Sequence, residues 1–555
     1  MVDRLAGSVL AVSPRSFLAP DAKVTPFRDT TTTLAGTTSC CSPSDLGCAL
    51  EAAVGALRFS VDTRLADLEF DLDQRLSFPW LLRERPRERR VCVVLDPVNP
   101  NVTRTRWEGA AALGIKVVVL SSGSWWATGA SDAYRGLDHL REAFVSIDLT
   151  PDARLWQRIV RAVSSYPQRI DGLFTPTDTY LVSVAQAAEA LGLFSNGPEP
   201  YSISTNKSRT RKLLDPNSTE CFSVRSAPEL ETRLASAEPV RFPVVCKPSF
   251  GRGSEGVFKA ESAAELRDVV AKSLEACTAD SNGVLVEPYV DGPEVDANLV
   301  LRDGRLLYAE VVDDFPSPAE LESHTQSANG ALFIETQAVA PSKLPRAEQS
   351  AVIASMMEVI LLQGFHTGIF HCEARIRNSR VEYVLAPGAT IPDLQPRKGS
   401  SVIAEGGAEE QPTVFLYEVN ARVPGTMSSA ASLVARGIDF WALQVLCAVG
   451  DWERYEALAR RVSLGQLNRQ FVDGERDPMR ELACRHPDIV RYVVRHNTIV
   501  KSRQAYGGGR DEWLWGAFVV LCSPNGRQHV LDVAGRFTAA YEAIVSAADE
   551  APCHD

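Results

Sequence analysis

The sequence has no run of eighteen or more apolar residues, so nothing in it reads as a membrane-spanning helix. Its twelve cysteines include no Cys-x-x-Cys pair. Cys92, Cys246, Cys447 and Cys522 lie inside apolar runs, the pattern of reduced, buried thiols in a cytoplasmic protein rather than of a disulfide framework. Cys40, Cys41 and Cys48 fall in a Ser/Thr-rich stretch and read as unpaired thiols. The first twenty residues carry Asp3, Arg4 and only a short apolar stretch broken by Ser13 and Pro14, a poor match to a secretory signal. No G-x-x-x-x-G-K-[ST] segment and no internal repeat occurs. Positive charge is in deficit: 58 Lys and Arg stand against 70 Asp and Glu, a formal net charge of -12. Such a surface repels phosphate backbones and anionic membranes, so neither nucleic acid nor membrane is expected as a partner. A small anion can still bind in a locally basic pocket.

What is present is ordinary for a soluble globular protein, with 45% apolar and 23% charged residues. At 555 residues the chain exceeds what one core supports. Residues 1–88 form an extension with weak periodicity. Order is expected from Arg90: strand Val91–Asp96, helix Thr103–Leu113, strand Ile115–Ser122, helix Leu155–Ser164 and strand Gly172–Asp178 make a parallel α/β unit. A short, basic, capped helix is expected over Thr205–Leu214. A helix over Ala263–Cys277 has Ser262 as its cap. Glu294–Asp313 reads as a hairpin turning at Asp303-Gly304, and Arg346–Gln363 as a long helix. Strands Gly368–Ile376 and Val414–Val423 flank a Gly/Pro/Ser/Glu-rich insertion, 386–412, expected to lack order. Two strands, WGAFVVLCSP and QHVLDVAG, are expected near the C-terminus.

Gly251-Arg252-Gly253-Ser254-Glu255-Gly256 matches G-x-G-x-x-G. A dinucleotide fingerprint needs a helix directly after the glycines. Here Val257-Phe258-Lys259-Ala260 reads as a strand, so the loop joins two strands like a flap. Glycine and serine in a flap let backbone N–H groups approach phosphate oxygens; a flexible surface hairpin is the alternative. Lys247 ends an apolar strand four residues earlier, where an ammonium is costly without an anion, and a nucleotide phosphate is a natural partner. Lys207, in the first turn of the basic helix, is a second candidate, although taken alone it reads first as a solvated helix lysine.

Glu418, Asn420 and Arg422 fall at i, i+2 and i+4 in an apolar strand, which places them on one face. A carboxylate beside an amide oxygen suits a hard cation, above all Mg²⁺ holding ATP phosphates. Glu373 in the preceding strand supplies a second carboxylate, and two such groups bridging two Mg²⁺ ions would offset charge during phosphoryl transfer. Arg422 presents a planar fork to a carboxylate or acyl-phosphate. Surface ion pairs on a hairpin are the competing reading. His371, at the parity of Glu373, is a weak candidate base.

In their order (lysine, lysine, glycine loop, E-P-Y-V, G-P-E, Glu, E-x-N-x-R) these motifs resemble the ATP-grasp superfamily over residues 90–450. VEPYVDGPEVDANLVLRDGRLLYAEVVDD, FIETQAVAPSKLP and YEVNARVPG are similar to the carnosine synthases and bacterial L-amino-acid ligases. The resemblance implies an α/β fold in which a Rossmann-like pre-ATP-grasp domain (89–203) precedes two subdomains, 204–290 and 291–450, that sandwich ATP, followed by a C-terminal α+β domain (451–555). It implies that Lys207 and Lys247 bind phosphates and that the loop Ser249–Val257, with Gly251, Gly253, Ser254 and Gly256, closes over them. Glu287, Tyr289 and Val290 would line the adenine pocket, and Glu294 would bind ribose. Glu373, Glu418 and Asn420 would hold two Mg²⁺, with Mn²⁺ as a possible substitute. Arg422 would hold the reacting carboxylate, Gly425 would permit close substrate approach, and Glu335 would hold a substrate amino group. Asn206 before Lys207 departs from the acid usual there.

The implied reaction is an ATP-dependent carboxylate–amine ligation through an acyl-phosphate, with amino acids as expected substrates, ADP and phosphate as products, and a homodimer as a possible assembly. A closing flap would exclude water. The rivals are a carboxylate–thiol ligase, a biotin-dependent carboxylase, against which the missing Met-Lys carrier sequence weighs, and a catalytically silent nucleotide-binding module.

Overall fold

A computed structural model describes residues 10–11, 57–58, 88–96, 104–123, 140–251, 253–277, 283–317, 320, 333, 335–397, 411–459, 478–498, 517–523 and 525–550. Most of the extension 1–88, residues 398–410 of the insertion, and Arg252 of the glycine loop lie outside the described residues. The chain groups into two compact units. The first comprises residues 1–174, 190–194 and 432–470; the second, 175–189, 195–431 and 471–555.

The first unit is built on β1 (Arg89–Val94), β2 (Ile115–Ser121), β3 (Ala143–Ser146) and β4 (Gly172–Phe174), which form a parallel sheet in the order β3-β2-β1-β4. Val91 to Val94 and Val117 to Leu120 are all buried, as expected where helices cover both faces of a parallel sheet. Helices α1 (Arg104–Ala112) and α2 (Leu155–Ser164) complete the α/β unit read from the sequence. The helix Phe440–Ala448 also belongs here, and a Cβ on Gly172 would fall 2.3 Å from the Ala448 carbonyl oxygen.

Among its described residues the second unit carries two multi-stranded antiparallel sheets besides two antiparallel strand pairs. The smaller consists of β5 (Phe222–Val224), β6 (Val244–Pro248), β7 (Phe258–Ala260) and β8 (Val284–Pro288) in the order β5-β8-β6-β7. Helix α3 (Lys207–Leu214) precedes it, capped by Asn206, whose side chain accepts from Arg209 N. Helix α4 (Ala263–Glu275), capped by Ser262, covers one face with Leu266 and Val270.

The larger sheet contains β9 (Glu294–Arg302), β10 (Arg305–Asp314), β11 (Ala338–Val339), β12 (Gly368–Arg377) and β15 (Thr413–Asn420) in the order β11-β10-β9-β12-β15. Between β12 and β15 lie β13 (Val381–Val384) and β14 (Asp393–Pro396). The β9–β10 turn has positive φ at Asp303 and Gly304, as a tight two-residue hairpin requires. Period-two alternation divides the large sheet. Val295, Ala297, Leu299, Cys372, Ala374 and Val419 pack with Val352, Met356 and Ile360 of α5 (Arg346–Leu362). Glu294, Asp296, Asn298, His371, Glu373 and Arg375 occupy the intervening positions, so the opposite face is polar.

Two expectations are corrected. QHVLDVAG is helical, lying in α6 (Arg527–Glu550), while the strand Ala517–Leu521 pairs with Val493–Thr498. Val530, Leu531, Val533 and Phe537 recur at spacings a helix also satisfies, and Leu531, Val533 and Phe537 are buried. The insertion is partly ordered: β14 pairs with β13, and Asp393 bonds Lys343 Nζ at 2.7 Å and Arg527 Nε at 2.8 Å.

Candidate active site

One cleft in the second unit is lined by Lys207, Lys247, Gly251, Gly253, Ser254, Glu287, Tyr289, Glu294, Glu335, Glu373, Glu418, Asn420 and Arg422. Thirteen residues singled out from the sequence thus meet in one place. The remaining candidates stand elsewhere. Ser249 is buried and its hydroxyl lies 2.6 Å from that of Ser208. Gly256, near the end of the loop, does not line the cleft, and its carbonyl accepts from Ser273 Oγ. Val290 is buried and its carbonyl accepts from Arg375. Gly425 does not line the cleft, and a Cβ there would meet nothing nearer than Ser428 Oγ at 3.9 Å.

The glycine loop joins β6 to β7, two antiparallel strands, as a flap does. Positive φ at Gly253, Ser254 and Gly256 bends it. Lys207 fastens its base: the Lys207 N–H donates to Ser249 O at 2.8 Å and Nζ donates to Gly251 O at 3.3 Å. Lys207 Nζ also pairs with Glu418 at 3.0 Å. Burial alone would lower the ammonium's proton affinity, but Glu418, then Glu373 and Asp178, raise it above the ordinary lysine value.

Lys247 is buried as expected, yet its partner is a protein carboxylate, Glu287, two positions along the neighbouring strand from its cross-strand partner Leu285. Arg211 of α3 reaches the other Glu287 oxygen at 2.8 Å. Burial pushes the Glu287 carboxyl up, and the two cations outweigh that and hold it below the usual range.

On the large sheet, Glu373 lies directly across from both Asp296 and Glu418, and His371 lies across from Asn298 and Asn420. A bulge interrupts β12–β15 between Glu373 and Ala374, leaving Tyr417 as the extra residue. Consecutive Tyr417 and Glu418 therefore both line the cleft. Strict alternation hides Tyr417. Asn420 Nδ2 donates to Glu373 Oε1 at 3.0 Å. Burial first, then the charges of Glu418, Glu335 and Asp296, raise Glu373 well above the usual carboxylate range. Glu373, Glu418 and Asn420 Oδ1 are a set of oxygen donors whose excess negative charge fits a hard cation.

Arg422 lies beyond the end of β15, where its N–H donates to Asn420 O at 2.8 Å and turns the chain. It still faces the cleft, held by Asp178 at 2.8 Å and 2.9 Å from Nε. Arg375, missed in the sequence although it shares the parity of Glu373, binds Glu294 at 2.7 and 2.9 Å and also pairs with Glu320. Burial and the Glu320 charge raise Glu294 despite Arg375. Glu335 is solvent-exposed, yet the dense protein around its carboxyl and the charges of Glu294 and Glu418 push it up to about 7. Asp178 had no local signal; it reaches the site from far back in the chain.

A family model described as the ATP-grasp N-terminal domain matches residues 107–194, and one described as the ATP-grasp domain matches residues 240–390. The chain is 32% identical over 489 residues to ATP-grasp enzyme fsqD of Aspergillus fumigatus, covering 84% of this chain and 81% of that protein. It is 27% identical over 311 residues to carnosine synthase 1 of Gallus gallus, covering 53% of this chain but 31% of that one. In fold it is similar to a crystal structure of L-amino acid ligase from Bacillus licheniformis: TM-score 0.55, 19% identity, 83% of this chain and 97% of that one.

Proposed function

The chain belongs to the ATP-grasp family, and from that membership we propose that it is an ATP-dependent carboxylate–amine ligase that activates an acid as an acyl-phosphate. One observation carries the reading: two lysines, a glycine flap, the Glu373/Glu418/Asn420 donor set and Arg422 converge on a single cleft. A nucleotide-binding module needs the lysines and the flap, but not the donor set and an arginine beside it.

In this reading a substrate carboxylate lies against Arg422, whose fork is already oriented by Asp178. Its oxygen attacks the γ-phosphorus of ATP, forming a C–O–P linkage and releasing ADP. A neutral amine then attacks the acyl carbon, loses a proton, and phosphate leaves. Glu373, Glu418 and Asn420 would hold Mg²⁺, which offsets phosphate charge when bound. Lys207 and Lys247 hold phosphates, and Tyr289, beside the end of β8, walls the base pocket. Gly251 to Gly256 close over the phosphates and keep water from the acyl-phosphate. Glu335 faces the substrate side. Carnosine synthase and L-amino acid ligase among the similar proteins favour amino acids as substrates.

The test is a pairwise screen of amino acids and amines for ADP and phosphate release, with mass analysis of products. Wild type is expected to release phosphate only with a competent pair, and Arg422→Ala or Glu418→Ala to lose at least about 10³-fold in turnover while melting normally. Full turnover in either variant would sink the assignment.

A further inference from the structure

We propose that Asp296, Asp314 and Glu335 bind a hard divalent cation at a site separate from the Glu373, Glu418 and Asn420 set. One carboxylate oxygen from each of the three lies within 4.8 Å of the other two. Asp296 and Asp314 are each 2% exposed. Asp296 Oδ1 and both Asp314 carboxylate oxygens have no hydrogen-bond partner. Among the described residues, no lysine or arginine forms an ion pair with either. Buried carboxylates left in that state are strongly unfavourable unless a cation or a proton compensates them.

His371 supplies an independent sign. Asn298 Nδ2 donates to Glu310 Oε1 at 2.9 Å, which turns Asn298 Oδ1 toward His371. That oxygen lies 2.9 Å from His371 Nδ1 and can only accept, so the imidazole proton sits on Nδ1. Nε2 is left as a lone pair. It lies 3.9 Å from Asp296 Oδ1 and 3.8 Å from Glu373 Oε1, beyond hydrogen-bond range. His371 is 7% exposed. The buried ring therefore offers electron density, not a proton, to a carboxylate that already lacks a donor. Positive charge is what this corner of the sheet needs.

The partnerless oxygens of Asp296 and Asp314 are buried. Carboxylate oxygens at this spacing suit Mg²⁺, Ca²⁺ or Mn²⁺ after a small contraction toward the ion. Asp314 contributes to the cleft wall and Glu335 is exposed, which gives the ion a way in. The site stands independently of the ligase reading, because the ion needs no nucleotide.

Full-length protein stripped with a chelator is titrated with Mn²⁺ alone, and free ion is followed by electron paramagnetic resonance. At least one Mn²⁺ is expected to bind without nucleotide. Its affinity should be unchanged in Glu418→Gln and at least tenfold weaker in both Asp314→Asn and Glu335→Gln. Thermal melts check folding, and Glu335→Gln, on the exposed side, serves if Asp314→Asn fails to fold. Absence of Mn²⁺ binding to wild type without nucleotide overturns the proposal in favour of a shared proton. So does an ion lost in Glu418→Gln but retained in Glu335→Gln, which belongs to the other donor set.

Discussion

Replacing Lys247 by Met separates its structural duty from the nucleotide duty proposed for it. Lys247 and Arg211 share Glu287, which is 1% exposed. At the 2.8 Å of the Arg211 contact, one such pair has a gross attraction of roughly 6 kcal/mol at an effective dielectric near 20. Most of that offsets desolvation, and breaking a buried pair usually costs about 3–5 kcal/mol. With Arg211 still in place, Lys247→Met is expected at the lower end, about 3 kcal/mol, read as a fall in the urea midpoint at pH 7. The pH profile carries a sign. Glu287 has a depressed folded value, so its contribution is present above the ordinary carboxylate range and is lost as pH falls through the folded value. In Lys247→Met that loss should begin at a higher pH. The double variant Lys247→Met/Glu287→Gln removes the stranded charge and should regain most of the stability. It should not regain ATP affinity, expected to be at least about tenfold weaker by calorimetry. If the double variant binds ATP like wild type, Lys247 serves the fold alone and its phosphate role is refuted.

Gly256→Ala should lower stability by about 2 kcal/mol and weaken ATP binding, because φ is +72° and the new Cβ would fall 2.8 Å from Ala276 Cβ. Gly253→Ala, with φ +62° and open space around it, should lose only about 1 kcal/mol; equal losses in parallel melts would contradict the packing argument. The ligand-free protein should melt at lower temperature as pH rises from 5 to 8. Burial and mutual repulsion raise Asp296, Asp314, Glu335 and Glu373 above their unfolded values, so stability present when they are protonated is lost as they ionise. Glu335→Gln should flatten that slope in calorimetric scans, and a slope of opposite sign would refute the assignment. Arg527→Ala removes the cation from Asp313, which is fully buried and 2.8 Å from the guanidinium, leaving it only the Ser342 hydroxyl and the Lys343 N–H, and should cost about 2–4 kcal/mol, visible as faster proteolysis of α6.

Much of this cleft was legible because strands write their faces at period two. Glu294, Asp296 and Asn298 alternate with Val295, Ala297 and Leu299, and the same rhythm sets His371, Glu373 and Arg375 apart from Cys372 and Ala374. The parity that marked Glu373 marks Asp296 and Arg375 equally, but parity alone gives neither a partner. Tyr417 was hidden for a physical reason: a bulge moves it onto the face that alternation denies it. Asp178 was hidden by distance along the chain, which periodicity does not measure. Lys247 showed the limit of desolvation arguments. The requirement for an anion was sound, but the anion in place is Glu287. The C-terminal helix was misread because short apolar runs satisfy both periods, and only its continuation from Arg527 to Glu550 separates them.

The cations of the cleft are already spoken for: Lys207 by Glu418, Lys247 by Glu287, Arg375 by Glu294, Arg422 by Asp178. Nine carboxylates and four cationic side chains line it, an excess of five negative charges when all ionise. Such a surface discriminates among ionic forms of its own substrate. A naked polyphosphate meets repulsion, whereas one escorted by divalent ions meets complementary charge. On the proposed reading entry would also be an exchange: by turning from Glu418 to a phosphate, Lys207 would uncover the carboxylate that the escorting ion needs. Supply of divalent ions, as much as supply of nucleotide, would then set the pace of the protein.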